Sequence, residues 1–373
     1  MDELLYRIAL SMLPIKPQEQ RMLLEAAGSA TEVFHLSKRI EELIPDSNDK
    51  ARAVMASMEG QLTGAAREIA FAERKNIRIL TIDDDAYPYR LKQAEDAPTV
   101  LYYSGNADLN AKHIVSIVGT RSCTDYGKDL CRQFIADLKE AVPDLVVLSG
   151  LAYGIDVTAH LACLENGIPT VGVLAHGLDI IYPQVHRTYA NDMVRNGGLL
   201  SEYRSGTDMN KSLFVARNRI VAACADATVV VESKEKGGSL HTARMALDYN
   251  RDVYAFPGRV TDKVSRGCLD LIFDNVARCV CDAKQFLECQ GWDSLKKPDE
   301  HVVQTELFTE LDETQLYIVG KMRSLDECNI AQLAAVTAIP VKQLNVHLAQ
   351  MELAGVIEFS PGGKYRLAMS YRR

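Results

Sequence analysis

The stretch Ile114–Val118 places the strongest constraint on the fold of this chain, because four of its five residues are apolar. An apolar run of this length is typical of a β-strand that is buried on both faces of a sheet. Gly119 interrupts the run, and a helical pattern begins near Gly127. The strand, the glycine turn and the helix predict the first βα unit of a doubly wound α/β domain. Arg121 then lies at the sheet edge where such folds bind ligands.

Apolar strands and helical stretches continue to alternate as far as Val280. Parallel strands need crossover helices between them, so this alternation predicts a largely parallel sheet with helices on both faces. The predicted strands of this sheet are Ile114–Val118, Leu145–Leu148, Thr170–Leu174, Leu199–Ser201, Ala227–Val231, Val253–Phe256 and Cys279–Val280. A predicted helix over Val215–Cys224 precedes the fifth of these strands.

The rest of the chain predicts a small domain on either side of this sheet. Residues 1–64 read as short helices, the fourth of them capped by Asp46 or Ser47. Residues 65–292 form the main domain, which begins with a linking helix at Ala65–Lys75 and strands at Ile77–Thr81 and Pro98–Ser104. The turn Pro14–Pro17 resembles a degenerate helix-hairpin-helix without its glycines, which favours a structural or partner-binding role over DNA binding. Polar residues 293–305 are typical of a linker. Three helical stretches and a hairpin over 306–373 predict a winged helix-turn-helix domain.

Composition excludes a protein that is basic over its whole surface. The formal net charge is -8 and the pI is about 5.6, so any anion site must be a local patch. The nine cysteines lack the spacing of a zinc site, which predicts reduced thiols in a cytoplasmic protein without a bound metal or cofactor. We expect no signal peptide and no membrane-spanning run.

Glycine turns follow several of the predicted strands. In a parallel sheet these turns meet at one edge, where glycines and helix N-termini let phosphates approach the backbone. The alternative is that they are tight turns only. Neither a GxGxxG nor a P-loop pattern is present, which disfavours a dinucleotide or nucleoside-triphosphate site. The glycines concerned are Gly119, Gly150, Gly154, Gly177, Gly237 and Gly238.

The segment 211–219 combines cations with an aromatic ring. Lys211 and Phe214 have the composition of a single-strand binding surface, in which cations contact phosphates and a ring stacks on a base. Arg217 and Arg219 leave two interpretations open. They bind DNA as well, or they pair with acids such as Glu202 and Glu232.

An enzyme is the alternative class of function. Ser149 has no GxSxG elbow around it, so an acyl-transfer triad is poorly supported. Glu232 precedes Gly237 and Gly238 in a pattern that loosely resembles the pocket of nucleotide phosphoribohydrolases, although the match is poor. A nucleotide-processing enzyme therefore remains the second hypothesis.

Ordered sequence blocks carry a resemblance to a known family. They include GTRSCTDYG at 119–127, SGLAYGID at 149–156, FVARNRI at 214–220 and GGSLHTA at 237–243. Over 98–286 the chain resembles the DprA/Smf family of DNA-processing proteins. The resemblance implies an extended Rossmann-like domain that dimerises, binds single-stranded DNA, protects incoming strands in natural transformation and helps load the RecA recombinase. It implies no catalytic residues.

The resemblance also implies which residues contact DNA. Arg121 matches the arginine of the family's G-[ST]-R motif, and Lys211 and Phe214 match its lysine and phenylalanine. Family dimers use the segment that corresponds to about 252–280. Together with the residue patterns, this gives the candidate DNA-binding set: Arg121, Lys211, Phe214, Arg217, Arg219, Gly119, Thr120, Gly150, Gly237, Gly238 and Ser239.

Three features depart from the family pattern. Ala175-His176 and His241 stand where other residues are usual, and both are expected to reshape the rim of the site. The third predicted helix of the C-terminal domain carries few cations, only Lys342 with His347. That composition indicates a protein-interaction or accessory module rather than a duplex-DNA binder.

Overall fold

The structure is a computed structural model that describes residues 2–292, 311–323, 325, 328–360 and 364–368. The chain forms two compact units, Met1–Lys296 and Lys297–Arg373. The predicted linker, 293–305, lies outside the described residues. No helix among the described residues has the length and apolar character needed to cross a membrane.

A nine-stranded sheet organises the first unit. Its order is β1-β2-β6-β5-β4-β3-β7-β8-β9. All neighbours from β6 to β9 are parallel, whereas β2 pairs antiparallel with both β1 and β6. The doubly wound, mostly parallel sheet is confirmed. The two edge strands β1 and β2 agree with strands expected from the sequence, whereas their antiparallel pairing is not predicted. The strands are β1 (Arg78–Thr81), β2 (Val100–Gly105), β3 (His113–Val118), β4 (Leu145–Ser149), β5 (Thr170–Val173), β6 (Gly197–Ser201), β7 (Ala227–Val230), β8 (Asp252–Ala255) and β9 (Arg278–Cys279).

Helices cover both faces of this sheet. Every residue of β3 and β4 is buried, and alternate residues along β3 enter two different hydrophobic clusters, one on each face. The helices of this unit are α1 (Asp2–Ser11), α2 (Pro17–Ala27), α3 (Ala30–Leu36), α4 (Asp49–Ala56), α5 (Met58–Lys75), α6 (Tyr89–Lys92), α7 (Asp125–Ala141), α8 (Ile155–Glu165), α9 (Arg187–Arg195), α10 (Lys211–Ala223), α11 (Gly238–Asp248), α12 (Arg266–Phe273) and α13 (Ala283–Gln290).

The N-terminal helices differ from the predicted ones in two details. Asn48, not Asp46 or Ser47, caps α4 by accepting a hydrogen bond from the amide of Ala51. Helix α5 begins at Met58 rather than near Ala65, so it runs through the predicted boundary at residue 64. The buried residues Met58, Ala65 and Ala72 recur every seven residues along α5, which gives it one continuous apolar face. Packing of that face on α1 compensates for the low helix propensity of the two glycines in the first turns of α5.

The described residues of the second unit form three helices and a small antiparallel sheet. The sheet order is β10-β12-β11. Its apolar core includes Ile318, Leu333 and Leu348, one from each helix. The predicted hairpin turn, 361–363, lies outside the described residues. The elements are α14 (Glu313–Met322), β10 (Cys328–Asn329), α15 (Ile330–Thr337), α16 (Val341–Leu353), β11 (Ile357–Ser360) and β12 (Lys364–Leu367).

Candidate functional site

The strand order reverses between β3 and β7. From β3 the chain proceeds through β4, β5 and β6 in one direction, and it then returns to the other side of β3 at β7. Two backbone hydrogen bonds join the strand ends. The amide of Thr120 donates to the carbonyl of Glu232 (2.7 Å), and the amide of Val231 donates to the carbonyl of Val118 (3.1 Å). Such a reversal leaves a crevice at the carboxyl ends of the strands, where doubly wound proteins bind ligands.

A cavity of about 560 Å³ opens at this reversal, and we call it the switch-point cavity. Ten of the eleven candidate residues line it, so their predicted convergence is confirmed, while their contact with DNA stays a prediction. They are Arg121, Lys211, Phe214, Arg217, Gly119, Thr120, Gly150, Gly237, Gly238 and Ser239. Arg219 is the exception. Tyr182, Lys234, Lys236, Asn218 and Asp156 are among the further residues of the lining.

Helix α10 delivers Lys211 and Phe214 to the cavity. The helix begins at Lys211, four residues earlier than the predicted Val215, because the side chain of Asn210 caps it. Its amide oxygen accepts hydrogen bonds from the amides of Ser212 (3.0 Å) and Leu213 (3.2 Å). Lys211, Phe214 and Asn218 recur at helical spacing and face the cavity.

Four exposed cations surround the cavity. Arg121, Lys211, Lys234 and Lys236 are exposed, and none forms an ion pair with an acidic side chain within the described part of the chain. The sequence prediction does not include Lys234 and Lys236. Both lie between the end of β7 and the glycine pair at the start of α11, and this position in the sequence could have predicted that they reach the cavity. An acidic protein therefore carries a local cationic patch at this edge of its sheet.

Arg217 and Asp156 are buried side by side in the wall of the cavity. A Cβ placed on Gly150 would lie 2.5 Å from Nη2 of Arg217 and 2.7 Å from Oδ2 of Asp156. Arg217 donates hydrogen bonds through Nη1 to the carbonyls of Gly150 (2.7 Å) and Val173. Burial lowers the pKa of Arg217 to about 10, against the attraction of Asp156, and burial raises the pKa of the Asp156 carboxyl. Arg217 therefore joins the ends of β4 and β5 and supports the wall of the cavity.

Arg219 lies away from the cavity. Its guanidinium forms an ion pair with Glu202 and donates through Nη1 to the carbonyl of Asp96 (2.7 Å). Glu202 is one of the two acids considered for it from the sequence. Arg217 and Arg219 are two residues apart, so their side chains leave α10 about 200° apart, and one helix face cannot present both. Arg219 is therefore removed from the set of residues that converge.

Close packing between turns explains most of the glycines. Gly154 has φ +79°, and a Cβ there would overlap the carbonyl oxygen of Thr120. A Cβ on Gly119 would lie 2.5 Å from Cγ1 of Ile155. Gly177 does not line the cavity. Among the glycines singled out from the sequence, only Gly238 faces open space, because a Cβ added there would meet no atom within 4 Å. Tight turns thus account for this glycine pattern better than phosphate approach does.

The N-terminus of α11 supplies backbone donors to the cavity. Its N-cap is Gly237, which has no side chain to occupy the first amides of the helix. The hydroxyl of Ser239 donates to the hydroxyl of Ser233 (2.8 Å) rather than capping the helix. Unoccupied amides at a helix N-terminus favour an anion, both through hydrogen bonding and through the helix dipole.

The aromatic side of the cavity holds two rings. The half-buried ring of Phe214 lies edge-to-face with the exposed ring of Tyr182, with ring centroids 5.6 Å apart and an interplanar angle of 66°. Tyr182 is absent from the sequence prediction, because nothing in the chain indicates that the loop after β5 reaches α10.

Three residues considered from the sequence do not reach the cavity. Glu232 is buried, and its carboxylate accepts hydrogen bonds from the amide (2.9 Å) and the hydroxyl (2.6 Å) of Thr124 at the start of α7. It lines no part of the switch-point cavity, so it is not placed to act on a ribose there. His176 and His241 also lie outside the lining, so neither reshapes the rim as expected.

These features define a class of protein. A doubly wound α/β sheet with an aromatic wall, an uncapped helix N-terminus and four exposed cations that are unpaired among the described residues is a Rossmann-like protein with a cationic crevice at its strand reversal. The chain belongs to the DNA recombination-mediator protein A family, whose model matches residues 78–291.

Named relatives agree with this membership. The chain is 41% identical over 192 residues to DNA processing protein DprA of Streptococcus pneumoniae, covering 52% of this chain and 67% of that protein. It is 32% identical over 326 residues to protein Smf of Synechocystis, covering 79% and 81% of the two chains. The DprA/Smf resemblance is therefore confirmed.

Two solved structures share the fold. DNA processing protein A from S. pneumoniae superposes with a TM-score of 0.65 at 32% identity, over 76% of this chain and 95% of that one. DNA processing protein A from Helicobacter pylori gives a TM-score of 0.52 at 28% identity, over 59% and 98% of the two chains. The latter structure describes a single-stranded DNA binding mode for the H. pylori protein.

Proposed function

We propose that this protein binds single-stranded DNA in the switch-point cavity and acts by binding rather than by catalysis. The observation that carries the proposal is the cluster of four exposed cations, unpaired among the residues that the structure describes, around the half-buried ring of Phe214. Cations that follow a backbone and a ring that stacks on bases are the two components of single-strand binding without sequence preference. The binding mode described for the H. pylori relative supports the same conclusion.

The cations are tested by titrating labelled oligo-dT at several salt concentrations. Arg121→Ala and Lys211→Ala should each reduce the slope of log affinity against log salt by about 0.7, the value for one phosphate contact on a single strand. Arg132→Ala is the matched control, because Arg132 is exposed on α7 and lines no part of the cavity. Slopes equal to that of the control in both variants would overturn the proposal.

The ring is tested separately. Phe214→Ala should weaken oligo-dT binding by about 1–3 kcal/mol without changing the salt slope, because stacking is lost and no phosphate contact is. Phe214→Trp should retain most of the affinity. Loss of affinity together with a change of slope would contradict a stacking role.

We further propose that the protein is a homodimer through the segment 252–280. Val260 and Phe273 lie in this segment with exposed fractions of 82% and 85%, and β9 is the last strand at its edge of the sheet. Exposed large apolar side chains and a strand at the edge of a sheet are each features that favour association. Phe273→Asp should shift the full chain from dimer to monomer in sedimentation equilibrium, and an unchanged mass would contradict this assignment.

The cellular roles are part of the same proposal. We place the protein in the cytoplasm, in keeping with its nine free cysteines. There it would protect incoming single strands and help load the RecA recombinase, with the second unit as a winged-helix accessory module. The exposed Leu353 (91%), at the end of α16, is available to a protein partner. Leu353→Asp in the full chain should reduce RecA assembly on protein-coated oligo-dT and leave oligo-dT affinity unchanged.

A further inference from the structure

A second cavity, of about 790 Å³, adjoins the switch-point cavity. Helix α9 forms one of its sides, so we call it the α9 groove. Tyr182 lines both cavities, and they therefore meet at its exposed ring. The other residues that define the groove and matter for its chemistry are Lys75, Asp179, Ile180, Arg187, Arg195 and Met209.

The charge of the α9 groove matches that of the first cavity. Lys75 and Arg187 are exposed, and neither forms an ion pair or a side-chain hydrogen bond within the part of the chain that the structure describes. Arg195 is 81% exposed, and Asp192, at 3.5 Å, is its one acidic partner among the described residues. A surface that is positive at both cavities, in a chain of net charge -8, favours one extended anion rather than two unrelated ligands.

The acid in the lining, Asp179, is outnumbered by the three cations Lys75, Arg187 and Arg195, so the lining keeps a net positive charge. Oδ2 of Asp179 accepts a hydrogen bond from the amide of Gly206 (3.0 Å), which ties the loop after β5 to the loop before α10. The carboxylate is thus part of the loop scaffold. The cations of the groove remain free to contact phosphates.

The groove also offers apolar surface to bases. Ile180 and Met209 line it with exposed fractions of 38% and 44%. Tyr182 continues this surface to Phe214, edge-to-face at 5.6 Å. Apolar and aromatic side chains between cations are the pattern on which successive bases of one strand are held.

We propose that the α9 groove is the second segment of a single-strand track, in which the strand leaves the switch-point cavity past Tyr182 and continues along α9. Lys75 and Arg187 contact its phosphates there. This inference rests on the proposed function, because it needs the strand to occupy the first cavity. It assigns DNA contacts to α5 and α9, two elements outside the motif blocks of the sequence.

The track is tested with two lengths of labelled oligo-dT, of about 4 and about 16 nucleotides. The double variant Lys75→Ala/Arg187→Ala should bind the short oligonucleotide as the unchanged protein does. It should bind the long one about 25-fold more weakly at about 0.1 M salt. A slope of about 0.7 per phosphate means that each contact contributes about fivefold to the affinity when the salt concentration falls tenfold, from about 1 M to about 0.1 M, and this variant loses two contacts. Its salt slope should fall only for the long oligonucleotide.

The matched control is Arg132→Ala/Lys284→Ala, which removes two exposed cations that line neither cavity. If the double variant in the groove binds the long oligonucleotide as this control does, the strand does not contact the groove and the inference is overturned. Arg121→Ala separates the two proposals. Weaker binding of both lengths in that variant supports the proposed function, whatever the result for the groove. Unchanged binding of both lengths in Arg121→Ala and also in Lys211→Ala overturns the function and the track together.

Discussion

Glu68 on α5 holds Ser205 in the loop that leads into α10. Its carboxylate is buried and accepts hydrogen bonds from the amide (3.0 Å) and the hydroxyl of Ser205. Ser205 lies six residues before Lys211, and Gly206 beside it donates to Asp179. The N-terminal helices thus fix the approach to the helix that carries Lys211 and Phe214.

Glu68→Gln should destabilise the protein and weaken oligo-dT binding although it removes no cation. The amide leaves one acceptor oxygen for two donors, and loss of a buried charge-assisted hydrogen bond costs about 1–3 kcal/mol. Urea unfolding measures the first effect and the oligo-dT titration the second. Glu73→Gln, an exposed change on the same helix, is the control, and equal results for the two variants would contradict the positioning role.

Gly154→Ala should disturb the turn that carries Arg121. The backbone of Gly154 (φ +79°, ψ -126°) is nearly restricted to glycine, and its Cα faces the carbonyl of Thr120. Strain of this kind costs about 1–3 kcal/mol before the clash is counted. We expect a lower urea midpoint and weaker oligo-dT binding.

Gly238→Ala is the control for Gly154→Ala. Its new methyl group meets no atom within 4 Å, so it should leave the urea midpoint unchanged or slightly raised. A lower urea midpoint in Gly238→Ala, or an unchanged midpoint in Gly154→Ala, would contradict the packing explanation of these glycines.

The sequence predicts the sheet well because buried parallel strands are continuous apolar runs. Ile114–Val118 and Ala227–Val231 correspond to β3 and β7 within one residue at each end. The strand β2 is predicted but its antiparallel direction is not, because that direction depends on its pairing with β6 across about a hundred residues of chain. The start of α10 is misplaced because Asn210 is not recognised as its cap.

Within the site, convergence is predictable and side-chain roles are not. Parallel topology alone brings Arg121 and Gly237 to one edge. The partners of Arg217 are backbone carbonyls at the ends of two distant strands, which no local pattern reveals. Helical spacing does separate Arg217 from Arg219, so their different roles are the part of the site that closer reading of the sequence could have found.

Asp226→Ala should be strongly destabilising. Arg90 is 2% exposed, and its guanidinium binds both carboxylate oxygens of Asp226, at 2.6 and 2.9 Å. Removal of Asp226 leaves a buried cation without its counter-charge, which costs about 3–5 kcal/mol. Thermal or urea unfolding of the full chain measures the loss.

The control is the exposed pair Arg39–Glu42. Glu42→Ala should cost about 0–1 kcal/mol, because solvent screens an exposed ion pair and ordering of its side chains opposes it. A similar loss in Asp226→Ala and Glu42→Ala would mean that the buried pair adds little.

His160 is buried in α8 as a neutral side chain. Its Nδ1 lies 2.7 Å from the hydroxyl of Thr170, and its Nε2 has no hydrogen-bond partner within the described chain. Burial lowers the pKa of His160 to about 3, with the charges of His186 and Arg217 adding to the effect. The unfolded chain takes up a proton near pH 6.5 that the folded chain refuses, so stability is complete above about pH 6.5 and falls as the pH drops toward 3.

The free energy of unfolding should therefore fall between about pH 7 and about pH 4.5, with about 2–3 kcal/mol of that fall due to His160. His160→Leu removes the titrating group, so its unfolding free energy should depend less on pH by that amount, even if the variant is less stable at every pH. Urea unfolding at the two pH values measures the difference. The exposed His35→Leu is the control and should keep the dependence of the unchanged protein. If His160→Leu keeps it too, the acid sensitivity arises from other groups, because a histidine that titrates equally in both states cannot couple pH to folding.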